Sequence, residues 1–398
     1  MPQAAGLVLE PVKRIGLAQE ADLLRQALAL RPDSRLMRKR YAAYTNQTDA
    51  FAETIALLGD LADPDVDEAL LLVQALLASE TAAHAARAAE VARRAATQAP
   101  TERVRAQALA DLGKAQLRLD DPAAGDTLRL ALQHDPHNKD ACKRLTSLLM
   151  AGDRPEEVVS LCAALSEHGV AHSRFFAAWI LALARVGDVA AARVLEGDRV
   201  LSLEGQLAAP AGWASLEDFN DALAAELLGH PALRFERYGT ASELTWRIDN
   251  PATADAPVVC QLLAVLRDQV AAHIDRVSSL EHPWVRARPA TAMLHSWCVI
   301  TDSVGYETWH VHQFGWLSGV YYVRVPEAIS SGTGPGGCLG LGLPEDIVGD
   351  DAAARFGFRL VRPRAGMMRF FPSHVYHRTF AHALPERRIC LAFDIRPH

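Results

Sequence analysis

The sequence predicts a chain of two structural parts, an all-α array of helix pairs followed by an all-β sandwich or barrel. Apolar residues in the first half recur at the three- and four-residue spacing of amphipathic helices. Prolines recur there at a period typical of helix-pair repeats. From Thr291 the chain changes to short segments rich in β-branched and aromatic residues, bounded by Gly and Pro. A length of 398 residues also favours more than one domain.

The helical part is predicted over residues 17–202. Its periodicity is clearest in ALADLGKAQLRL (108–119) and FFAAWILALARVG (175–187). Prolines separate the helical runs, and their residue numbers differ by 32, 36 and 36: Pro32, Pro64, Pro100 and Pro136. A period in the mid-thirties indicates a repeat made of two helices.

One unit of this array, residues 106–136, resembles a tetratricopeptide repeat. It has a helix, a DDP turn, a second helix and a closing Asp-Pro, and Gly113 stands where that family carries a small packing residue. Further units are predicted from Asn138 and from His172. Stacked helix pairs leave an extended concave surface, so we expect the array to recognise a peptide or protein. Self-association or simple support is the alternative.

The domain boundary is predicted at residues 203–213, where Gly, Pro and short turns interrupt the helical pattern. The second domain then spans residues 213–398. Its lead-in, 213–290, carries two helical segments, 215–233 and 256–277, predicted to pack outside the barrel core of residues 291–398. Short strands at close spacing without intervening helices indicate a sandwich or barrel.

Composition and charge argue against some classes of function. A formal net charge of -7 argues against a nucleic-acid or anionic-membrane binder, which needs a concentrated basic surface. We find no apolar stretch of membrane-spanning length and no secretory leader, so we expect a cytoplasmic protein. The six cysteines form no CxxC pair and are expected to be idle thiols.

Three histidines suggest a metal site in the β domain. His310 and His312 are two residues apart in ETWHVHQFGW on a predicted strand, so both imidazoles project from one face. His377 follows 67 residues later in FPSHVYH, and strand pairing can bring it to the same place. A metal that must also bind oxygen needs few protein ligands, commonly two histidines and a carboxylate.

The sequence motifs around these histidines resemble those of a known family. HVHQFGWLSGVYYVRVP (310–326), GGCLGLGLP (336–344) and RAGMMRFFPSHVYHRTFAHALPERRICLAFDI (364–395) are similar to 2-oxoglutarate- and iron(II)-dependent oxygenases that are often fused to tetratricopeptide repeats. The likeness is strong over roughly the last 110 residues. It implies a double-stranded β-helix, or jelly-roll, with flanking helices, and Fe(2+), 2-oxoglutarate and O2 as cofactors.

The resemblance also assigns site residues. His310 and His377 resemble the two metal-binding histidines, and Arg388 resembles the arginine that pairs with the far carboxylate of 2-oxoglutarate. A guanidinium suits that task because its planar fork matches a carboxylate. Ser318 and Tyr322 are further candidate contacts to the cosubstrate.

Two departures from the family pattern concern the metal. Gln313 replaces the proline expected after the HxH motif, and His312 stands where the wider superfamily has Asp or Glu. The third ligand is therefore open between His312, a carboxylate such as Glu307, and water.

The expected reaction is hydroxylation of a carbon, with a protein or peptide side chain favoured over a small metabolite as substrate. A three-histidine dioxygenase of the cupin type, which uses no 2-oxoglutarate, is one rival. A non-catalytic scaffold that binds a partner through its repeats is the other. Arg388 separates the first rival from the main prediction, because a mechanism without 2-oxoglutarate needs no carboxylate clamp.

Overall fold

The computed structural model describes residues 8–10, 17–236, 239–253 and 255–397. Contacts divide the chain into two compact units. We call residues 16–170 the helical unit, and residues 1–15 with 171–398 the sheet unit. The helix pair predicted as the last repeat therefore belongs to the sheet unit. The domain boundary predicted at residues 203–213 remains a prediction.

The helical unit consists of consecutive helices that contact one another in chain order. Polar residues cap many of the helix N-termini; Asp65, for example, forms a complete capping box with Glu68. The four punctuating prolines all fall in the connections that the periodicity predicts. The helices, α1 to α9, span Leu17–Leu30, Arg35–Gln47, Phe51–Leu58, Val66–Leu76, Ala82–Gln98, Glu102–Arg118, Ala124–His134, Lys139–Ala151 and Pro155–Glu167.

One turn geometry recurs in this unit. Asp49, Asp120 and Asp153 adopt positive φ angles of 64°, 53° and 53° just after helices α2, α6 and α8. In each turn the next amide donates to a carbonyl five residues back, as from Asp121 to Gln116 at 2.9 Å. This is the hydrogen bond that closes a helix of the Schellman type. The turns at Asp120 and Asp153 lie 33 residues apart, so the helix pairs repeat in local geometry as well as in hydrophobic pattern.

Gly113 occupies a contact between α6 and α7. A Cβ atom at this position would lie 2.6 Å from Leu128 Cδ2, closer than side-chain atoms approach one another. The absence of a side chain lets the two helices pack closely, as the sequence analysis predicts for a small packing residue.

The sheet unit contains both helices and strands. Its α-helices, α10 to α18, span Ser173–Arg185, Val189–Glu196, Asp198–Leu201, Leu216–Leu228, Pro257–Val277, Pro283–Arg286, Glu327–Ser330, Glu345–Val348 and Asp350–Phe356, with a 3-10 turn at Pro251–Thr253. Its strands, β1 to β13, span Val8–Glu10, Leu203–Gln206, Arg234–Phe235, Ser242–Glu243, Trp246–Asp249, Thr291–Thr301, Tyr306–Glu307, Leu317–Arg324, Leu339–Leu341, Arg359–Val361, Met367–Pro372, His377–Thr379 and Arg388–Pro397.

Among the described residues the larger sheet has eight strands, in the order β2-β11-β8-β13-β6-β5-β3, with β1 joining β6. The strands in this order pair antiparallel throughout, while β1 pairs with β6 in parallel. A smaller sheet has the order β10-β9-β12. Strands β6, β8, β10, β11 and β13 confirm the short strand segments expected after Thr291, whereas the predicted strand around His310 and His312 is not found.

The two sheets share one hydrophobic core. Side chains from the inner face of the larger sheet pack with the smaller sheet and a nearby loop; the buried members are Trp297, Val299, Val320, Tyr322, Leu339, Leu341, Val361, Met367, Phe371, Val375 and Cys390. The outer face of the larger sheet is covered by the predicted lead-in helices: the Tyr321 hydroxyl donates to Asn220 of α13 at 2.7 Å. The ring of Phe370 contacts His273 of α14.

No helix in the described part of the chain is both long and apolar enough to cross a membrane. All six cysteines are free thiols, and five of them are buried.

Candidate metal centre

The three histidines singled out by the sequence come together between the two sheets. His310 lies in the extended segment after β7, and its backbone exchanges two hydrogen bonds, of 3.0 and 3.1 Å, with the backbone of His377 at the start of β12. His310 and His312 are thus not part of a regular strand, contrary to the prediction, but an extended backbone still places both side chains on one side. One ligand nitrogen of each of the three histidines lies within 4.8 Å of those of the other two.

Each imidazole is held by its Nδ1 atom. His310 Nδ1 donates to the Thr308 carbonyl at 2.8 Å, and His377 Nδ1 donates to the Val375 carbonyl at 2.9 Å. His312 Nδ1 lies 2.6 Å from Asp394 Oδ1. Because these oxygens accept, Nδ1 carries the proton and Nε2 is left as the available ligand nitrogen. Such outer hydrogen bonds are typical of metal-binding histidines. Three imidazoles oriented in this way fit a divalent iron ion.

Burial favours the neutral form of the His310 and His377 imidazoles. It lowers the pKa of His377 well below its ordinary value, and the neighbouring His310 and His312 lower it further. Burial also lowers the pKa of His310, although the charge of Glu307 opposes that effect. A lowered pKa means that a proton competes for the ring nitrogen only at acid pH, so both side chains are ready to bind a metal at neutral pH.

Asp394 provides the support for His312 from the far end of the chain. It is 2% exposed and accepts a hydrogen bond of 2.8 Å from the Ser318 hydroxyl as well as the bond from His312. Burial by itself raises its pKa, but the charge and the hydrogen bond of His312, with help from Arg396, hold the pKa of Asp394 at about 2. The carboxylate is therefore ionised and supplies negative charge to the metal site through His312.

A glycine makes this approach possible. A Cβ atom at Gly315 would lie 2.4 Å from Ser373 Oγ and 3.1 Å from Asp394 Cγ. Any side chain there would push the histidine loop away from β13. The same loop is held from α10, where the Ser173 hydroxyl donates to the His312 carbonyl at 3.0 Å and Arg174 donates to Gln313.

We expect Asp394→Asn to weaken iron(II) binding by about 10- to 100-fold, because outer hydrogen-bond partners of metal ligands carry effects of that size. Affinity can be measured by competition with a chromophoric chelator. Asp346→Asn, an exposed acid of α17, is the matched control and should bind iron(II) like the parent. Equal affinity of the Asp394 variant and the parent would show that His312 does not depend on this carboxylate.

Arg388 begins β13 and is 3% exposed. Its guanidinium lies over the Tyr322 ring, 5.3 Å from the centroid. Burial by itself lowers the pKa of Arg388, but the groups around it, Cys390 first, raise that pKa above its ordinary value, so the side chain is charged. The Nε atom of Arg388 is buried and has no hydrogen-bond partner among the described residues. The same is true of the hydroxyl of Thr301, the residue of β6 that pairs with Arg388. An unpaired donor on a buried cation fits the carboxylate of a bound acid.

Small side chains lie between Arg388 and the histidines. Cys390 and Ala392 pack in the core between the sheets and share one face of β13 with Arg388 and Asp394, as the strand alternation predicts. The face therefore carries a buried guanidinium at one end and the support of a metal ligand at the other, with two small side chains between them.

The remaining predicted residues are placed as follows. Tyr322 lies beside Arg388, in reach of the same space. The Ser318 hydroxyl is bonded to Asp394 and lies 2.7 Å from Ser373 Oγ, so it is engaged in supporting His312. Glu307 is not part of the metal-ligating group found among the described residues, and its carboxylate accepts from the Ser242 hydroxyl at 3.1 Å. Of the three options for the third ligand, the structure brings His312 to the site.

Sequence reasoning missed the role of Asp394 and overlooked Arg247 of β5, which lies beside Trp297 near the histidines. The alternation of β13 is a signal for Asp394, since it puts that residue on the face of Arg388. No local pattern marks Arg247, because its strand is only four residues long.

The two-sheet fold and the histidine group define a β domain with a candidate metal site. Residues 295–394, about a quarter of the chain, match the family described as "Putative 2OG-Fe(II) oxygenase". This match and the three histidines assign the cofactors of the sheet unit. They are iron(II) as the metal, with 2-oxoglutarate and O2 as cosubstrates. No protein of curated function matches the chain.

Several solved structures are similar to the chain. A Pseudomonas putida prolyl-4-hydroxylase has 20% identity and a TM-score of 0.34, with 50% of this chain and 92% of that chain covered. HygX from Streptomyces hygroscopicus, with nickel and 2-oxoglutarate bound, has 14% identity and a TM-score of 0.33, with 49% and 82% covered.

A prolyl hydroxylase from Trichoplax adhaerens, in complex with a hypoxia inducible factor peptide fragment, has 12% identity and a TM-score of 0.35, with 54% and 90% covered. Because all three TM-scores are below 0.5, we base the assignment on the family match and on the geometry of the site.

Proposed function

We propose that the protein is an iron(II)- and 2-oxoglutarate-dependent hydroxylase whose substrate is a protein or peptide side chain. The observation that carries this proposal is the pairing of two features in one core. Three imidazoles present Nε2 within 4.8 Å of one another, and the buried Arg388 has an unpaired Nε on the same inner surface. The core between the sheets is then the interior of a double-stranded β-helix.

The residues of the chain have separate tasks in this reaction. His310, His312 and His377 hold the metal, and Arg388, with Tyr322 beside it, binds the far carboxylate of 2-oxoglutarate. With O2, the bound iron and 2-oxoglutarate supply the oxidising power that places one oxygen atom in a C–H bond and leaves succinate and carbon dioxide. The apolar core around the site, including Phe371 and Val375, excludes water from it.

A peptide substrate is supported by the helical unit. Its helix pairs repeat in local geometry at a period close to that of tetratricopeptide arrays, and such arrays offer extended surfaces to peptides. The helical unit would then help to present the substrate to the oxygenase site. Comparing turnover of peptides by the full chain with turnover of the corresponding free amino acids tests this part.

One rival has a specific observation in its favour. Three histidine ligands without a carboxylate are the donor set of cupin-type dioxygenases that need no 2-oxoglutarate. The unpaired Nε of Arg388 favours the 2-oxoglutarate reaction, because the rival has no anion to place there.

The test is an anaerobic titration of the protein with iron(II) and then 2-oxoglutarate, followed by the visible metal-to-ligand charge-transfer band. The parent should develop the band, and Arg388→Ala should need about 10- to 100-fold more 2-oxoglutarate, since one charge-assisted pair is lost. Arg387→Ala is the matched control, because this neighbouring arginine is exposed, and it should titrate like the parent. Bound iron without a band would favour the rival reaction, and no bound iron would leave the helical unit as the functional part.

A further inference from the structure

A second arginine lies close to the metal centre on the inner face of the larger sheet. Arg247 of β5 pairs across the sheet with Val299 of β6, whose side chain belongs to the core between the sheets. Cross-strand partners project to the same face, so Arg247 projects inward as well. Its guanidinium lies over the Trp297 ring, 5.2 Å from the centroid, and that ring lies 5.2 Å from the ring of His312. One aromatic ring therefore separates Arg247 from a metal-binding histidine.

The guanidinium of Arg247 is only partly satisfied. Its side chain is 10% exposed, and its Nε donates to Asp249 Oδ1 at 2.9 Å. Its two terminal nitrogens have no hydrogen-bond partner within the described ranges of the chain. Asp249 also pairs with Arg234 at 2.8 Å, so two cations share that carboxylate. Neither terminal nitrogen is among the fully buried unpaired atoms of the described residues, so both can be reached by a ligand that completes the set.

The charged groups around Arg247 are of both signs, and besides its ion pair with Asp249 the buried Glu307 also feels its charge. On the neighbouring strand, His295 is influenced by Arg247 and Arg396 as well as by two acids, Asp394 and Asp249. Burial and then the charge of Arg396 lower the pKa of His295 to about 4, so this imidazole is neutral and adds no charge at neutral pH. The Asp394 carboxylate is already hydrogen-bonded to His312 and Arg396. Asp249 is the carboxylate that is hydrogen-bonded to Arg247.

The geometry indicates the kind of group that fits. Two parallel N–H donors on a planar fork match the two oxygens of a carboxylate, and stacking on Trp297 fixes the plane of the fork. A carboxylate brings one negative charge to one cation, whereas a phosphate dianion would place excess charge beside Asp249. Arg388 starts a different strand and is assigned to 2-oxoglutarate, so Arg247 remains free for another acid.

We propose that Arg247 binds a carboxylate group of the substrate that is oxidised, and that it thereby orients this substrate beside the metal. The inference rests on the proposed function and names a substrate class for the same site. The carboxylate can belong to a free amino acid or to an Asp or Glu side chain of a peptide.

The experiment uses the full chain loaded anaerobically with iron(II) and 2-oxoglutarate. Matched pairs are added, namely aspartate against asparagine, glutamate against glutamine, and an acidic peptide against its amide counterpart, and changes in the charge-transfer band are recorded. The carboxylates should perturb the band and the amides should not. A response to the peptide alone identifies a side chain in a peptide as the source, and a response to the free amino acids identifies a small acid.

Arg247→Gln should weaken the carboxylate response by about 10- to 100-fold, the range for loss of a charge-assisted pair, and leave the affinities for iron(II) and 2-oxoglutarate unchanged. Arg234→Gln, which removes another cationic partner of Asp249, is the matched control and should respond like the parent. Thermal melting of each variant confirms that it is folded.

The proposal is overturned if no carboxylate perturbs the parent, if the Arg247 variant responds like the parent, or if it loses 2-oxoglutarate affinity in parallel. Failure of the proposed function is distinct from all of these, because the parent would then develop no band with iron(II) and 2-oxoglutarate.

Discussion

His377→Ala is expected to abolish stoichiometric iron(II) binding and, with it, all turnover of 2-oxoglutarate. His377 is 3% exposed, is bridged to the backbone of His310, and presents Nε2 to the same point as the other two histidines. Removing one of three imidazoles leaves a two-ligand site, and affinity depends on the number and placement of ligands. Metal content after gel filtration and the charge-transfer band are the two measurements.

A neighbouring histidine provides the control. His374 is also buried, but its Nε2 donates to the Glu196 carbonyl at 3.0 Å, and it is not in the ligating group. Burial lowers the pKa of His374 to about 3, so it acts as a neutral structural group. His374→Gln keeps a side-chain donor and should retain iron(II). Full metal content in the His377 variant would contradict the assignment of the centre.

Asp198→Ala is expected to lower the free energy of unfolding of the sheet unit by about 3–5 kcal/mol, the cost of leaving one partner of a buried ion pair alone. Both Asp198 oxygens accept from Arg369 Nη2, at 2.8 and 3.0 Å, and the two side chains are 2% and 4% exposed. Arg359 pairs with the same carboxylate. Without Asp198, Glu204, at 3.4 Å, is the one carboxylate within ion-pair distance of Arg369 among the described residues.

Urea unfolding followed by tryptophan fluorescence measures this effect. Glu204→Ala is the matched control: its side chain is 52% exposed, and removing it should cost at most about 1 kcal/mol. A change below about 1 kcal/mol in the Asp198 variant would show that water or another acid reaches Arg369, and that the pair is not needed for the fold.

Much of the architecture could be predicted because it depends on local patterns. The four prolines mark connections between helices because proline cannot continue a helix. The strand segments after Thr291 are recognisable from two-residue alternation. His310, His377 and Arg388 could be predicted as site residues because the sequence motifs around them resemble those of one family. Each of these signals is contained within a short stretch of consecutive residues.

The status of the third histidine could not be predicted in this way. His312 is supported by Asp394, 82 residues later, and this contact exists only because β8 and β13 pair in one register. The direction of the Ser318 hydroxyl has the same origin, since Ser318 and Asp394 are cross-strand partners. Likewise, the helix α10 reads as one more repeat, yet its Ser173 contacts the histidine loop.

By itself, the sequence determined the order of a helical array and a β domain, the positions of most elements, and the residue types needed for a metal and a dicarboxylate. Local periodicity and short motifs are sufficient for these, because they depend on neighbours along the chain. Only the tertiary structure decided which nitrogens face the centre, that His312 and not Glu307 joins the other two histidines with Asp394 as its support, and that Arg247 lies near it. Those features depend on strand register and side-chain direction across the sheets, which bring together residues far apart in the chain.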